Sequence, residues 1–161
     1  MSPASSVIID SPLPGGIRLG LGFVARRLAV IDFRGPDTPL RLESAPELEA
    51  VLAVLQQYFS APRQVQALPP LAPQGTPFQQ RVWQALRGIP VGDTKTYGEL
   101  ARELNTSARA LAGACRANPI PLLIPCHRVV AAHGPGGYMG QRDGEALAIK
   151  QWLLHHERHA G

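Results

Sequence analysis

A proline-rich break at residues 68–75 is the feature that most constrains how this chain can fold. Three prolines and one glycine fall within it, which argues against a regular helix or a central strand through the segment. Before the break, apolar residues form short runs typical of strands, whereas after it they recur at helical spacing. The sequence therefore predicts two domains, residues 1–70 and residues 71–161.

The first domain is predicted to be a small β-sheet with one helix. Strand-like runs at residues 7–9, 17–24 and 28–33 are separated by a Pro- and Gly-rich segment and by a basic pair of residues. A helix is predicted from Pro46 to about Phe59, with an apolar stripe able to pack on that sheet. The members of the stripe are Leu48, Val51, Leu52, Leu55 and Phe59.

The second domain is predicted to be mainly helical. Capping boxes at residues 76–79 and 96–99 begin helices that end near Gly88 and Leu104. A turn then leads to Ser107, which can cap a helix from residue 108 to about residue 117. Two short helices joined by a tight turn are typical of a helix-turn-helix. The predicted fold class is α/β (α+β), with an N-terminal sheet-and-helix domain followed by a mainly helical C-terminal domain.

Positive charge is concentrated in the second half of the chain. Residues 1–75 carry six Arg and six acidic residues, whereas residues 76–161 carry ten Lys or Arg against six acidic residues. All five histidines also lie in the second half. This distribution favours a polyanionic partner such as nucleic acid, although an ordinary solvated surface is equally compatible with a net charge of +4.

Cys126 stands between a proline and two polar side chains, His127 and Arg128, within apolar flanks. A thiol becomes a strong nucleophile as the thiolate, and neighbouring cationic or basic groups favour that form. His127 is the natural base, with a bridging water because adjacent side chains in extended backbone point to opposite faces. The alternative is a buried structural cysteine, since free cysteine is among the most buried residue types.

Residues 116–119 (Arg-Ala-Asn-Pro) and 124–130 (Ile-Pro-Cys-His-Arg-Val-Val) resemble the active-site segment of the O6-alkylguanine-DNA alkyltransferases. The similarity extends from Gly75 to Glu157, about half of the chain. The resemblance implies direct DNA repair, in which a flipped O6-alkylguanine loses its alkyl (methyl) group irreversibly to Cys126. Each molecule would act once as a methylated-DNA–[protein]-cysteine S-methyltransferase. The resemblance implies no cofactor and no metal.

The same resemblance implies roles for individual residues. Glu157 would orient His127, Asn118 would act as a hinge, and the other residues would hold the base or the DNA. The implied catalytic residues are Cys126, His127, Glu157, Asn118 and Tyr138. The implied substrate-binding residues are Pro121 as a pocket wall, and the backbones of Val129 and Met139. The implied DNA-binding residues are Tyr97, Arg109, Ala110, Ala114, Arg116 and Arg128.

The chain departs from the family pattern at several places. The family commonly has glycine where Ala112 stands, and usually a larger apolar residue where Cys115 stands. Residues 139–146 form a longer link than the family's short glycine-rich one. The N-terminal half contains neither cysteine nor histidine, so a structural zinc site is not expected there.

The expected partner is double-stranded DNA containing O6-alkylguanine. No apolar run approaches the ~20 residues that span a bilayer, so no membrane partner is expected. We expect a monomer in the cytoplasm, where the acceptor thiol stays reduced. The rival interpretations are a damage-recognition protein of the same fold, whose relatives lack the acceptor cysteine, and a helix-turn-helix regulator. A Cys–His protease or a zinc protein is disfavoured because paired ligand spacings are missing.

Overall fold

The computed structural model describes residues 5–141 and 144–159. Arg142 and Asp143, which belong to the predicted long link 139–146, lie outside the described residues. The chain divides into two compact units, one within residues 1–74 and one over residues 75–158. Within the described residues, the helices are too short or too polar to cross a membrane.

The first unit contains a three-stranded antiparallel sheet in the order β1-β2-β3. The strands are β1 (Val7–Ile9), β2 (Arg18–Val24) and β3 (Arg27–Arg34), which confirms the three predicted runs. Strands β2 and β3 are joined by Ala25 and Arg26, whose φ angles are 49° and 64°. Two consecutive residues at positive φ are typical of the type I′ turn, whose twist matches that of the strands it joins.

Helix α1 (Pro46–Ser60) confirms the predicted helix of this unit and packs against β3. Its prediction was only partly right about the buried face. Leu48, Val51 and Leu55 are buried as expected, but Leu52 and Phe59 are half-buried. Tyr58 is buried as well, so the buried residues of α1 are Leu48, Val51, Leu55 and Tyr58.

The proline-rich segment is anchored to the sheet of the first unit. The Leu28 N–H donates to the Pro70 carbonyl at 3.3 Å, and the Ala72 N–H donates to the Leu28 carbonyl at 2.7 Å. Leu71 lies between them in an isolated parallel bridge with Leu28. Proline cannot donate to a ladder, so a partly paired position at a sheet edge suits this segment.

The second unit is built mainly from helices, which confirms the predicted fold class. Its helices are α2 (Pro77–Arg87), α3 (Tyr97–Glu103), α4 (Ala108–Arg116) and α5 (Gly144–His159). Both predicted capping boxes are present, at Thr76 and Thr96. Asn105 adopts φ 54° in the turn between α3 and α4, a conformation that asparagine tolerates well.

Two features of the second unit position its functional segment. The buried indole N–H of Trp83, in α2, donates to the Ala114 carbonyl at 2.9 Å and so anchors the inner face of α4. A short parallel ladder pairs β4 (Lys95–Thr96) with β5 (Val129–Val130). The ladder places the residues after Cys126 beside the start of α3.

Candidate active site and DNA-binding surface

Cys126 begins a single 3-10 turn, Cys126–Arg128, at the end of a fully buried stretch. Cys126 is 4% exposed. Asn118 holds this stretch in place, since its Nδ2 donates to the Ile124 carbonyl at 2.7 Å. Its Oδ1 accepts from the Ile120 N–H at 3.0 Å. The buried amide therefore fixes the chain on the approach to the cysteine, at both of its polar atoms.

His127, Arg128 and Glu157 form a buried charged cluster. Glu157, from α5, accepts from His127 Nε2 at 2.5 Å, from Arg128 Nε at 2.7 Å and from Arg128 Nη2 at 3.1 Å. The Ile89 carbonyl accepts from Arg128 Nη1 at 2.6 Å. Burial raises the pKa of Glu157, but hydrogen bonds and charges from His127 and Arg128 outweigh it and hold that pKa well below its ordinary value.

The ionised Glu157 determines the tautomer of His127. An ionised carboxylate only accepts, so Nε2 must carry the proton that is shared with Glu157. Burial lowers the pKa of His127 despite the neighbouring Glu157, which favours the neutral ring. Nδ1 then keeps its lone pair, and it is buried without a hydrogen-bond partner among the described residues. This nitrogen is the basic atom of the cluster.

A buried lysine, Lys150, supports the segment that follows the cysteine. Its Nζ donates to the Val129 carbonyl at 2.7 Å and to the Gly137 carbonyl at 2.8 Å. The same nitrogen lies 5.8 Å from the centroid of the Tyr97 ring. Burial lowers the pKa of Lys150 to about 8, although nearby Cys126 and Cys115 oppose the shift. The lysine thereby ties two sides of the site together.

Both cysteines are thiols at rest. Burial raises the pKa of Cys126 to about 11, although a hydrogen bond with Asn118 and the charge of Lys150 act in the opposite direction. Burial and the nearby Cys126 raise the pKa of Cys115 to about 12. Desolvation exceeds the help that the neighbouring groups provide.

Cys126 opens onto a cavity of about 1060 Å³ within the second unit. One side of the cavity is formed by α4, and the other by the loop that carries Tyr138 and Met139. Met139 adopts φ 50°, in a turn where the N–H of Tyr138 donates to the Gln141 carbonyl at 2.7 Å. Tyr97 and Arg109 also line the cavity, so the cysteine, the predicted guanine pocket and the helix-turn-helix share one space.

Helix α4 has one buried face and one exposed face. Leu111, Ala114 and Cys115 are buried, whereas Arg109, Ala110, Gly113 and Arg116 are exposed. A Cβ added at Gly113 would meet no atom within 4 Å, so the exposed face is open in its middle. An arginine stands near each end of a narrow strip of small side chains. Such a face suits close approach to a groove of DNA lined with phosphates.

Comparison with known proteins identifies the family of this chain. A family model described as "6-O-methylguanine DNA methyltransferase, DNA binding domain" matches residues 77–159. The chain belongs to the methylated-DNA–protein-cysteine methyltransferase family. The constitutive enzyme of that name from Bacillus subtilis is 38% identical over 119 residues, which cover 72% of this chain and 69% of the relative. The mouse enzyme is 39% identical over 134 residues, which cover 76% of this chain and 62% of the relative.

Solved structures extend the family likeness over nearly the whole chain. Mycobacterium tuberculosis OGT in complex with DNA is 34% identical, with a TM-score of 0.74. That match covers 96% of this chain and 92% of the mycobacterial chain. An O6-methylguanine-DNA methyltransferase from Pyrococcus kodakaraensis is 27% identical with a TM-score of 0.66, covering 93% and 97% of the two chains. The similarity to the family therefore covers both compact units.

Three of the residues predicted from the methyltransferase resemblance lie in unexpected places. Arg128 is buried in its ion pair with Glu157, so it faces the protein and not DNA. Ala114 lies on the inner face of α4, 3% exposed, where its carbonyl accepts from Trp83 Nε1, so it does not face a groove. Pro121 is buried in the stretch before Cys126 and does not contribute to the lining of the cavity. The sequence placed each near the site but could not fix its direction.

Two residues to which the sequence analysis gave no role lie near Cys126. Lys150 was overlooked because a lysine in a helix is usually solvated. Its signal is the spacing of seven residues from Glu157, which puts both on one face of α5 with the buried Leu153. Cys115, which the sequence analysis named only as a departure from the family pattern, lines the same cavity as Cys126.

Proposed function

We propose that this chain repairs O6-alkylguanine in double-stranded DNA by moving the alkyl group onto its own Cys126. Membership of the methyltransferase family supports the reaction class. The observation that carries the assignment of the acceptor is that Cys126 lines the cavity that α4 borders. The product is a thioether without an easy route back to a thiol, so each molecule acts once.

The transfer needs a base at the moment of reaction. With a thiol pKa of about 11, forming the Cys126 thiolate at neutral pH costs about 5 kcal/mol. We assign the base to His127 Nδ1, which takes the proton through a bridging water. Glu157 stabilises the ring as it becomes positive, in the manner of a triad whose attacking atom is sulfur. Sulfur then bonds to the alkyl carbon, the carbon–O6 bond breaks, and the departing guanine takes a proton.

The other predicted residues have supporting roles in this proposal. Asn118 links the end of α4 to the acceptor stretch, and Tyr138 borders the base on the cavity side. The Met139 N–H and the Cys126 and Val129 carbonyls would read the edge of guanine. The Val129 carbonyl already accepts from Lys150, but a carbonyl oxygen has two lone pairs and can accept a second bond.

The target atom lies inside the base stack, so the nucleotide has to leave the duplex at a cost of a few kcal/mol. Tyr97 would press on the phosphate beside the target, and Arg109 would fill the space that the base leaves. Ala110 and Arg116 complete the contact surface on α4. We assign DNA binding and alkyl transfer to residues 71–161, with a monomer acting on its own. Affinity would depend on phosphates and on salt, and little on sequence.

The test is an intact-mass measurement after incubation with duplex DNA that carries one O6-methylguanine. The protein should gain one methyl group with a one-to-one yield, and peptide mapping should place that group on Cys126. Cys126→Ser, a near-isosteric control, should bind the damaged duplex without a mass change. Undamaged duplex should leave the parent unmodified. Binding without any mass gain in the parent would instead indicate a damage-recognition protein.

A further inference from the structure

The inner face of α4 supplies part of the wall around the acceptor sulfur. Cys115 is 7% exposed and lines the same cavity as Cys126. The two stretches are tied together by Asn118, whose N–H donates to the Cys115 carbonyl at 3.2 Å and whose Nδ2 donates to the Ile124 carbonyl at 2.7 Å. Both cysteines also act on the pKa of Lys150, in agreement with a close cluster of the three side chains.

We propose that Cys115 determines how large an alkyl group Cys126 can accept. This inference rests on the proposed alkyl transfer and names a limit on its substrates. A short side chain at position 115 leaves room beside the acceptor sulfur, so that alkyl groups longer than methyl are transferred. A longer side chain at the same position would occupy that room.

The geometry of the reaction explains why a wall residue acts on alkyl size. In an in-line displacement, sulfur, the transferred carbon and O6 lie on one line, so the rest of an alkyl group projects sideways into the wall. The thiol proton leaves through His127, the sulfur electron pair forms the new S–C bond, and the O6–C electrons stay with guanine, which is protonated. A methyl group adds only hydrogens to the sideways direction, whereas a butyl group adds a chain.

The neighbouring residues make position 115 adjustable. Ala112 and Gly113 lie on the same side of the cavity and are already small, so they leave little to remove. Cys126 itself cannot be varied without loss of the acceptor. Cys115 is anchored by the backbone of α4, and its side chain makes no hydrogen bond in the described residues that a substitution would break.

The experiment is a size series at position 115, namely Cys115→Ala, Cys115→Val and Cys115→Met. Single-turnover rates are measured on matched duplexes carrying O6-methylguanine or O6-butylguanine. The ratio of the butyl rate to the methyl rate is the readout, because DNA binding and nucleotide flipping contribute to both rates and cancel. One methylene in an apolar pocket changes a rate by about 10- to 200-fold, so the ratio should fall at least about 10-fold in Cys115→Met.

The ratio of the butyl rate to the methyl rate should be equal to the parent's or higher in Cys115→Ala, lower in Cys115→Val and lowest in Cys115→Met. The rate of methyl transfer itself should stay within about threefold of the parent's in all three variants. Leu111→Ala is the matched control, since Leu111 is buried in the same helix but does not line the cavity. It should lower stability and keep the parent ratio. If Cys115→Met does not fold, as circular dichroism would show, the Val and Ala variants carry the test.

The result that overturns the inference is a ratio that stays within twofold of the parent across the series, or that does not follow side-chain size, while methyl transfer persists. A change of the same size in Leu111→Ala would also overturn it, because the effect would then follow from destabilisation. A parent protein that transfers no methyl group at all would contradict the proposed function instead. Peptide mapping of each product should find the alkyl group on Cys126.

Discussion

Replacing Glu157 by glutamine should weaken both the fold and the reaction. The substitution keeps the size of the side chain and one acceptor oxygen but removes the charge. Arg128, which is 7% exposed, would then lie buried without its counter-ion, and His127 would lose the anion that fixes its tautomer. The same side chain thus links the stability of the second unit to the chemistry at Cys126.

The size of the stability loss follows from the contacts of Glu157. It accepts three hydrogen bonds from positively charged or polarised donors, and removing one partner of a buried pair costs about 3–5 kcal/mol. Glutamine retains an acceptor, so we expect a loss of about 3 kcal/mol in the free energy of unfolding. For a chain of this length, that loss corresponds to a Tm lower by roughly 6–12 °C.

The loss should depend on pH in a defined direction. An unfolded glutamate titrates near pH ~4.3, and the pKa of Glu157 in the folded protein is lower. The unfolded state therefore binds the proton first, so the stabilisation from Glu157 is present above pH ~4.3 and is lost as the pH falls toward the folded pKa. Parent and variant should differ most near neutral pH and converge in acid.

The assay is urea unfolding across pH, together with single-turnover transfer to free O6-benzylguanine. Glu103→Gln is the matched control, because Glu103 makes an exposed ion pair with Lys95 at 2.7 Å and should lose no more than about 1 kcal/mol. Glu157→Gln should slow transfer by about 10- to 100-fold, and His127→Ala by about 100-fold or more. Equal stability losses in Glu157→Gln and Glu103→Gln would refute the buried cluster. If Glu157→Gln and His127→Ala both fold and react with free O6-benzylguanine at the rate of the parent, the proposed proton path through His127 is wrong.

Two further predictions concern α4. Arg109→Ala should slow transfer from duplex DNA far more than transfer from free O6-benzylguanine, because it removes the group proposed to fill the vacated stack. Arg102→Ala is the control and should slow neither transfer, since Arg102 is also exposed but lies outside the cavity. Equal losses on both substrates in Arg109→Ala would contradict its flipping role. Trp83→Phe should lower the free energy of unfolding by about 1–3 kcal/mol, since it leaves the buried Ala114 carbonyl without its donor. An unchanged midpoint in urea unfolding would show that this hydrogen bond does not anchor α4.

Local sequence signals predicted most of the fold. The capping boxes at Thr76 and Thr96 form as expected because their hydrogen bonds join residues only three positions apart. The three strand-like runs also pair as expected, since neighbouring strands can meet through short turns. The ladder between β4 and β5 was not predicted. Its strands contain two residues each and lie far apart in the sequence, so neither carries a periodic pattern.

The site was harder to predict than the fold, because side-chain direction depends on tertiary packing. A family motif correctly brought His127 and Glu157 together, but it gave no direction for Arg128, which turns inward to the same carboxylate. The motif also did not predict the protonation state of Cys126. Neighbouring cationic groups favour a thiolate, yet burial raises the pKa of Cys126 to about 11, and burial depends on tertiary packing.

A protonated acceptor suits a protein that can act only once. A thiolate exposed in the free protein would react with any small electrophile, and each such reaction would consume a molecule. Cys126 instead stays a buried thiol whose pKa is about 11, next to a neutral His127 and an ionised Glu157. The proposed base and its carboxylate are therefore already hydrogen-bonded in the free protein, and in the proposed reaction the thiolate forms only when an alkylated base lies in line with the sulfur. In this proposal, burial lowers the reactivity of the free Cys126 thiol and confines the irreversible transfer to a substrate that fills the cavity.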